Sequence, residues 1–298
     1  MGGDCFRVLQ VLRAPVGGLF RHVADLTRAL AAEGHSVGIV VDSLANDAQT
    51  ERLLSALGSD AVLGIHRFAM PRLFGRGDLS TPFAVSALAR KLDIDILHGH
   101  GAKGGFYARL AALGGSRAKV FYTPHGGVLH FPASKASGRI FHRIERQLMR
   151  KTSTIIFESA YAQKTYSALI GTPTCHSTVI HNGLRPEEFV PVTPRPEAAD
   201  FVFVGELRDL KGIFPLVEAL AQVTRPDGRP ANLVMAGDGP DRGLTGTHRH
   251  AVEVDGTGAA QRLAAAELGA HETQLVTQDP QQWRVRCRVN GRGFTVYR

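Results

Sequence analysis

The chain has few cysteines, a single tryptophan and no long apolar run. Its 298 residues include three cysteines, Cys5, Cys175 and Cys287, which are far apart, odd in number and without a Cys-x-x-Cys pair. This pattern excludes a disulfide framework and a cysteine-based metal site. No apolar run approaches the roughly 18 residues of a spanning helix, and no basic segment followed by an apolar one opens the chain. We therefore expect a cytoplasmic protein that is neither exported nor integral to a membrane.

The chain also lacks internal repeats and the Gly-x-Gly-x-x-Gly fingerprint of dinucleotide-binding proteins. Asp42 ends a predicted strand, as an acidic residue does in those proteins, but without the glycines a nicotinamide cofactor is not favoured. The net charge of +8 and the pI near 9.7 indicate an acidic partner, which could be nucleic acid, anionic lipid or a phosphorylated substrate. Because no basic stripe is interleaved with aromatic residues, we expect no nucleic-acid partner.

Short β-branched runs alternate with amphipathic helical stretches from Arg7 to about Leu184. This alternation predicts βαβ units and an α/β fold with a doubly wound parallel sheet. A second α/β segment follows a proline-rich stretch. The predicted helices cover 20–33, 83–92, 105–113, 137–150, 160–169 and 213–223. The predicted parts are an N-terminal domain over 1–185, a linker over 186–199, the start of a second domain over 200–240 and an atypical tail over 241–298.

The tail interrupts the α/β alternation. It is rich in arginine, glycine, threonine and glutamine, and it contains one plausible helix at 259–268. Disorder is an open interpretation of this segment.

Glycines follow the first predicted strand. Ligands of open α/β sheets bind beyond the carboxyl ends of the strands, so the turns at these ends are the candidate sites. Gly17 and Gly18 would let backbone N–H groups approach a ligand at a helix N-terminus. The simpler interpretation is a tight turn.

Histidines stand at the ends of two further strands, in "HGHGAKGG" (98–105) and "TPHGG" (123–127). Neutral imidazole suits proton handling or contact with an acceptor hydroxyl. A lone histidine at such a place is more often a hydrogen-bonded structural group. A metal site from His98, His100 and His125 is a further alternative, but no carboxylate accompanies these residues, and we expect no metal.

A charged turn joins the first strand of the second domain to its helix, in "GELRDLKG" (205–212). Arg208 and Lys211 stand at a helix N-terminus, where an arginine fork and a lysine charge match a diphosphate. The alternative is a solvated charged loop. A second glycine turn, "AGDGP" (236–240), lies in the same domain.

Six segments together resemble the retaining glycosyltransferases of family 4. In order, they are "PVGGLFRHVADLTRALAAEGHSV", "DILHGHGAKGGFYARLAA", "TPHGG", "VIHNGL", "FVGELRDLKG" and "VMAGDGP". The resemblance covers about residues 6 to 240. It implies the GT-B fold, in which two Rossmann-like domains face a cleft, with an incomplete second domain in this chain.

The resemblance also implies roles for individual residues. The Gly17-Gly18 loop would face the acceptor and the donor phosphates, His125 would lie by the transferred sugar, and Lys211 would hold the diphosphate. The candidate catalytic residues are His125, Arg208 and Lys211. The candidate donor- or acceptor-binding residues are Gly17, Gly18, His100, Gly205, Gly237 and Gly239.

The implied reaction moves a sugar from UDP, GDP or a similar nucleotide to an acceptor hydroxyl with retention at the anomeric carbon. Charge builds on the leaving diphosphate, and fixed cations with a helix N-terminus stabilise it without a metal or further cofactor. The acceptor would be a glycan or a lipid-linked sugar in polysaccharide or lipopolysaccharide synthesis.

Two departures from the family pattern affect the expected activity. Glu206 stands where many relatives have arginine. The family's Glu-x7-Glu pair is missing, since Glu253, Glu267 and Glu272 do not have that spacing. The end of the chain therefore resembles a truncated or frameshifted sequence, and an inactive remnant that binds only acceptor or membrane is the alternative function.

The predicted helix at 137–150 has a basic face. Its arginines are Arg139, Arg143, Arg146 and Arg150, and the opposite face carries Phe141, Ile144 and Leu148. The simpler interpretation is a solvated face. The sharper one is peripheral contact with anionic lipid at the inner face of a membrane, because many family members use lipid-linked acceptors.

Overall fold

The structure is a computed structural model that falls into two compact units, Met1–Phe189 and Val190–Arg298. The described residues are 5–44, 48–72, 75–189, 191, 200–204, 211–220, 222–229, 231, 233–236, 272–279, 282–289 and 292–297. We call the two parts the first unit and the second unit.

The first unit contains a seven-stranded sheet in the order β3-β2-β1-β4-β5-β6-β7, and all its strand pairs are parallel. The strands are β1 (Arg7–Val11), β2 (Ser36–Asp42), β3 (Ile65–Phe68), β4 (Ile96–His100), β5 (Lys119–Thr123), β6 (Thr154–Phe157) and β7 (His176–Val179). The helices are α1 (Gly17–Ala32), α2 (Ala48–Ser55), α3 (Gly77–Lys91), α4 (Gly101–Ala111), α5 (Ala136–Met149) and α6 (Ala160–Leu169). This arrangement confirms the predicted doubly wound α/β domain.

Helices cover both faces of this sheet. On one face, side chains of α1 and α2 such as Phe20 and Leu54 pack with Ile39 of β2. On the other face, side chains of α3 and α4 such as Val85 pack with Leu97 of β4. Successive strand residues point to opposite faces, so the central strands, which are buried on both faces, carry mostly apolar residues, with Gln10, His98 and His100 as buried polar exceptions. The hydrophobic runs of the sequence are explained by this double burial.

Several helix boundaries differ from the predicted ones. α1 and α4 begin three and four residues earlier than predicted, since each starts with glycines that have low helix propensity. α2 was not predicted, because its eight residues are short and mostly polar. Residues Pro186–Phe189, at the start of the predicted linker, form a 3-10 helix and belong to the first unit.

The second unit contains a five-stranded sheet in the order β10-β11-β12-β9-β8. It opens with β8 (Phe201–Val204), α7 (Ile213–Leu220) and β9 (Leu233–Ala236), with β8 and β9 parallel. This is the predicted β-α-β alternation. β10 (Glu272–Asp279), β11 (Gln282–Val289) and β12 (Arg292–Tyr297) form an antiparallel meander, and β12 pairs with β9 in parallel. These last three strands were not predicted from the sequence.

Candidate functional site

The predicted strand-end turns of the first unit lie at one edge of its sheet. β1 ends at Val11, β4 ends at His100, and the two strands pair in parallel. The strand order reverses between them, and ligands of open α/β sheets bind at such a reversal. Gly17, Gly18, His100 and His125 all lie at or beyond the carboxyl ends of β1, β4 and β5.

The glycine turn after β1 leads directly into α1. Gly17 is the first helical residue, and its φ of 65° lies in the left-handed region that glycine adopts readily. The N-cap residue, Val16, makes no side-chain capping hydrogen bond. A Cβ on Gly17 or Gly18 would meet no atom of the described residues within 4 Å. The first N–H groups of α1 therefore border open space, where they can bind an anion or a hydroxyl group.

His100 and His125 contact each other through their rings. His100 is buried at the end of β4, and His125 is partly exposed two residues beyond β5. Nδ1 of His100 lies 3.2 Å from Nε2 of His125. The φ of His125 is 47°, an uncommon value for a residue with a side chain. The turn thus holds the His125 ring against His100 in a backbone conformation that is unfavourable by itself.

Buried polar side chains continue from His100 across three neighbouring strands. Oε1 of Gln10 on β1 lies 2.6 Å from Nε2 of His100. Nε2 of His98 lies 2.9 Å from Oγ1 of Thr123 on β5, and the His98 and His100 ring centroids are 4.0 Å apart. Gln10 pairs with His98, and His100 pairs with Thr123, so all four side chains point to one face of the sheet. This face is polar near its carboxyl edge.

His22 of α1 joins this cluster, and the sequence analysis did not identify it. Its ring centroid lies 5.0 Å from that of His125 and 5.8 Å from that of His100. These three residues offer one ring nitrogen each within 4.8 Å of one another, a spacing that could hold a metal ion. The trio differs from the alternative drawn from the sequence, because His98 is directed at Thr123 instead. The sequence feature that could have identified His22 is its position about one helical turn after Gly17 and Gly18.

Glu158, directly after β6, adds a carboxylate near these histidines. Burial lowers the pKa of His22, and the charge of Glu158 acts in the opposite direction. Oε2 of Glu158 is buried and has no hydrogen-bond partner among the described residues. A buried oxygen without a donor is costly, so this atom is available to accept a hydrogen bond.

Burial keeps the imidazoles of the cluster neutral at neutral pH. It lowers the pKa of His98 to about 3 and that of His125 to about 4. The pKa of His100 lies well below its ordinary value for the same reason. The neighbouring imidazoles add to these effects, because positive charges on adjacent rings repel each other. A neutral imidazole offers one donor and one acceptor, which suits contact with sugar hydroxyls.

Of the site residues predicted in the second unit, Lys211 is the one that lies within the described residues. Lys211 is exposed and stands two residues before the start of α7. The intervening Gly212 has a φ of 72°. A cation at a helix N-terminus fits contact with a diphosphate, because the helix N–H groups attract the same anion. The other predicted site residues of this unit lie outside the described residues: Gly205, Arg208, Gly237 and Gly239.

Helix α5 carries the predicted basic face. Ile140 is 56% exposed on this helix, whereas Leu148 is buried. Arg146 donates hydrogen bonds to the carbonyls of Leu169 and Ile170 at the end of α6, so it also has a structural role. Three exposed arginines lie in α5, Arg139, Arg143 and Arg146, and a fourth, Arg150, follows the helix directly. Among the helices of the described residues, none has both the length and the hydrophobicity that crossing a bilayer requires.

The first unit matches a known protein family along most of its length. The family model, described as Glycosyltransferase Family 4, matches residues 16–188, more than half of the chain. The matched segment contains the glycine turn, the four histidines and Glu158.

Individual relatives extend this likeness beyond the first unit. A glycogen synthase of Mycobacterium tuberculosis is 26% identical over 249 residues, which cover 75% of this chain and 58% of that protein. The chain thus spans less than two thirds of the length of the curated relatives it matches.

Solved structures show the fold. Anabaena Alr3699/HepE in complex with UDP-glucose aligns with a TM-score of 0.64 at 18% identity, covering 98% of this chain and 69% of that one. A glycosyltransferase from Rickettsia africae ESF-5 aligns with a TM-score of 0.57 at 20% identity, covering 79% and 61%. The α/β fold is of the GT-B type, as predicted.

Proposed function

This chain belongs to glycosyltransferase family 4, and from this premise we propose that it transfers a sugar from a nucleotide-sugar donor to an acceptor hydroxyl with retention at the anomeric carbon. The observation that carries the proposal is the neutral histidine cluster beside an open glycine turn, at the strand-order reversal within the family segment. The reaction would serve cell-surface polysaccharide or lipopolysaccharide synthesis.

The first unit supplies hydroxyl-binding groups in this proposal. His125 is partly exposed and neutral, so its ring can exchange hydrogen bonds with a sugar without a charge to desolvate. Gly17 and Gly18 leave room for a ligand beside the first N–H groups of α1. His100 lies behind His125 and supports it through the contact between their rings.

The second unit supplies the diphosphate contacts in this proposal. Lys211, with Arg208 and Gly205 of the same turn, would hold the diphosphate, and Gly237 and Gly239 would approach the nucleotide. As the bond to the sugar breaks, negative charge grows on the leaving diphosphate. A fixed cation at a helix N-terminus stabilises this charge more than that of the bound donor, which lowers the barrier. The mechanism needs no cofactor besides the donor.

The donor class is supported by a structural neighbour. Anabaena Alr3699/HepE was solved with UDP-glucose, and a UDP-hexose is therefore the first donor to test, with GDP-sugars as the next class. For the acceptor we propose a glycan or a lipid-linked sugar. The exposed arginines of α5 would bring the protein to the anionic inner face of the membrane that carries such lipids.

Substitution of Lys211 tests the catalytic proposal. Lys211→Ala should lower kcat/KM roughly 30- to 900-fold, which corresponds to a loss of about 2–4 kcal/mol of transition-state stabilisation. The reason is that the variant lacks a charge-assisted contact that strengthens as the bond breaks. Lys164→Ala, at an exposed lysine of α6 in the first unit, is the matched control and should retain kcat/KM. An unchanged kcat/KM in Lys211→Ala would reject the role.

A second candidate function is favoured by the missing glutamate pair. Glu253, Glu267 and Glu272 have no pair at the Glu-x7-Glu spacing, and without such a pair the hydroxyls of the donor would lack partners. The chain would then bind acceptor or membrane without transferring a sugar. Calorimetric titration with UDP- and GDP-sugars, together with a transfer assay on the whole chain, separates the two candidates. Micromolar donor binding with measurable transfer excludes the second one.

A further inference from the structure

We propose that Gln10 is a positioning residue, which acts through His100 to determine which ring nitrogen of His125 carries the proton. Its amide oxygen starts a relay of two hydrogen bonds that ends at His125. The relay leaves Nδ1 of His125 as a hydrogen-bond acceptor for a ligand hydroxyl. Only the identity of that ligand, a sugar, rests on the proposed function.

The relay is set by the pairing of β1 with β4. Gln10 is fully buried, and its register partner on β4 is His98, two residues before His100. Residues two apart on a strand point to the same face, so Gln10 and His100 share one face of the sheet. Their side chains meet there at 2.6 Å, between Oε1 and Nε2.

The direction of each hydrogen bond follows from the chemistry of the atoms. An amide oxygen only accepts, so Nε2 of His100 must carry the proton that is donated to Gln10. A neutral imidazole has one N–H, so Nδ1 of His100 is left as an acceptor. Nε2 of His125, 3.2 Å away, is then the donor to it. Nδ1 of His125 consequently keeps its lone pair.

The free amide nitrogen of Gln10 supports a role beyond packing. Nε2 of Gln10 is buried and has no hydrogen-bond partner among the described residues. A leucine or methionine would fill the same space without a buried unpaired donor. The opposite amide orientation would donate to His100 and reverse both hydrogen bonds, placing the proton of His125 on Nδ1. The amide orientation in the structure therefore selects one of two possible sets of tautomers for His100 and His125.

The same relay competes with metal binding by the histidine trio. Nδ1 of His100 faces His125, and Nε2 of His100 faces Gln10, so both of its ring nitrogens already have partners. A metal ion bound by His22, His100 and His125 would have to displace one of these hydrogen bonds. Metal binding and the relay thus predict different protonation patterns for His100.

Long-range proton–nitrogen NMR on the whole chain with nitrogen-15 histidine tests the relay directly. At neutral pH we expect His100 and His125 each to be protonated at Nε2 alone, with assignments from His100→Gln and His125→Gln. Gln10→Met should remove the acceptor and give mixed tautomers at both residues. Thr123→Val is the matched control, because Thr123 contacts His98, and it should leave His100 and His125 unchanged.

Several outcomes would overturn the proposal. A proton on Nδ1 of His125 in the parent protein would show that both hydrogen bonds run in the opposite direction. Unchanged spectra in Gln10→Met would show that Gln10 does not determine the tautomers. If Gln10→Met does not fold, the parent spectrum still tests the direction of both hydrogen bonds, and a proton on Nδ1 of either residue rejects the relay. The measurement uses unliganded protein, so a failed transfer assay would reject the proposed function and leave the relay standing.

Discussion

Arg109 is a fully buried arginine whose charge is balanced by one carboxylate. Its Nη1 and Nη2 lie 2.7 and 2.8 Å from the two oxygens of Glu145, and its guanidinium lies 3.9 Å from the ring centroid of Tyr122. The hydroxyl of Tyr166 donates to the same carboxylate at 3.1 Å. The pair joins α4 to α5 in the interior, where an unpartnered charge is strongly unfavourable.

We expect Arg109→Met to destabilise the first unit by about 3–5 kcal/mol, because it leaves Glu145 buried without its counter-charge. The double variant Arg109→Met/Glu145→Leu should recover part of this loss, since no charge remains to be compensated. Urea unfolding followed by far-ultraviolet circular dichroism gives both values. A double variant less stable than Arg109→Met would contradict this account.

Some site residues could be predicted from sequence and others could not. His100 and His125 were identified because a strand end followed by glycines is visible along the chain. Gln10 was missed because its partner is 90 residues away and depends on the β1–β4 register. His22 and Glu158 were missed for a related reason: each is ordinary in its own segment, and only the parallel sheet brings their segments to one edge.

At the scale of secondary structure, α4 packs unusually close to the sheet through its glycines. A Cβ on Gly104 would overlap the carbonyl oxygen of Val11, and one on Gly105 would overlap the ring of Tyr122. A Cβ on Gly99 of β4 would collide with the backbone of Gly105. These glycines let the helix that follows β4 lie directly on the strands that carry the site.

Gly104→Ala should therefore destabilise the first unit by about 1–3 kcal/mol or more, because the backbone of β1 must move to admit a methyl group. Gly18→Ala is the control: its methyl group would meet no atom of the described residues within 4 Å, and alanine favours the helix by up to about 1 kcal/mol. The midpoints of urea unfolding compare the two. Equal losses in both variants would show that close packing does not explain the glycine at 104.

The basic face of α5 makes a separate prediction. Arg143→Glu/Arg150→Glu should weaken binding to vesicles that contain anionic lipid and change little with neutral vesicles, because the attraction is electrostatic. Arg146 is left intact, since its bonds to the end of α6 would confuse folding with binding. Vesicle cosedimentation at low and high salt provides the measurement. Equal binding of variant and parent to anionic vesicles would leave only a solvated helix face.

The predicted order of elements agrees with the structure best where hydrophobic patterns are long. Most strands of the first unit are short apolar or β-branched runs that alternate with helical patterns, so their existence and order could be predicted. The strands β10 to β12 were not predicted; they contain no continuous apolar run, and their apolar residues alternate with arginine, glutamine and threonine. Trp283, Val285, Cys287 and Val289 do follow a period of two, and Asn290-Gly291 is a hairpin signal.

At the scale of the whole molecule, the first unit has a complete interior of its own. Within the described residues, hydrophobic clusters around Leu97, Val23 and Ile155 consist of residues before position 190. Among the strands that the structure describes, the seven of this sheet all belong to the first unit. Glu188 in the final 3-10 helix pairs with Arg21 of α1, which ties the end of the unit to its first helix.

We therefore expect a chain of residues 1–189 to fold by itself, with a cooperative thermal transition and the same His100 and His125 tautomers as the full chain, because the contacts that fix the cluster are all retained. The full chain is the control. Under the proposed function the short chain should lose UDP-glucose affinity in calorimetric titration, since Lys211 and the rest of the diphosphate turn are removed. A short chain without a cooperative transition would show that the first unit depends on residues beyond 189. A short chain that binds UDP-glucose as tightly as the full chain would place the donor contacts among the histidines and glycines of the first unit.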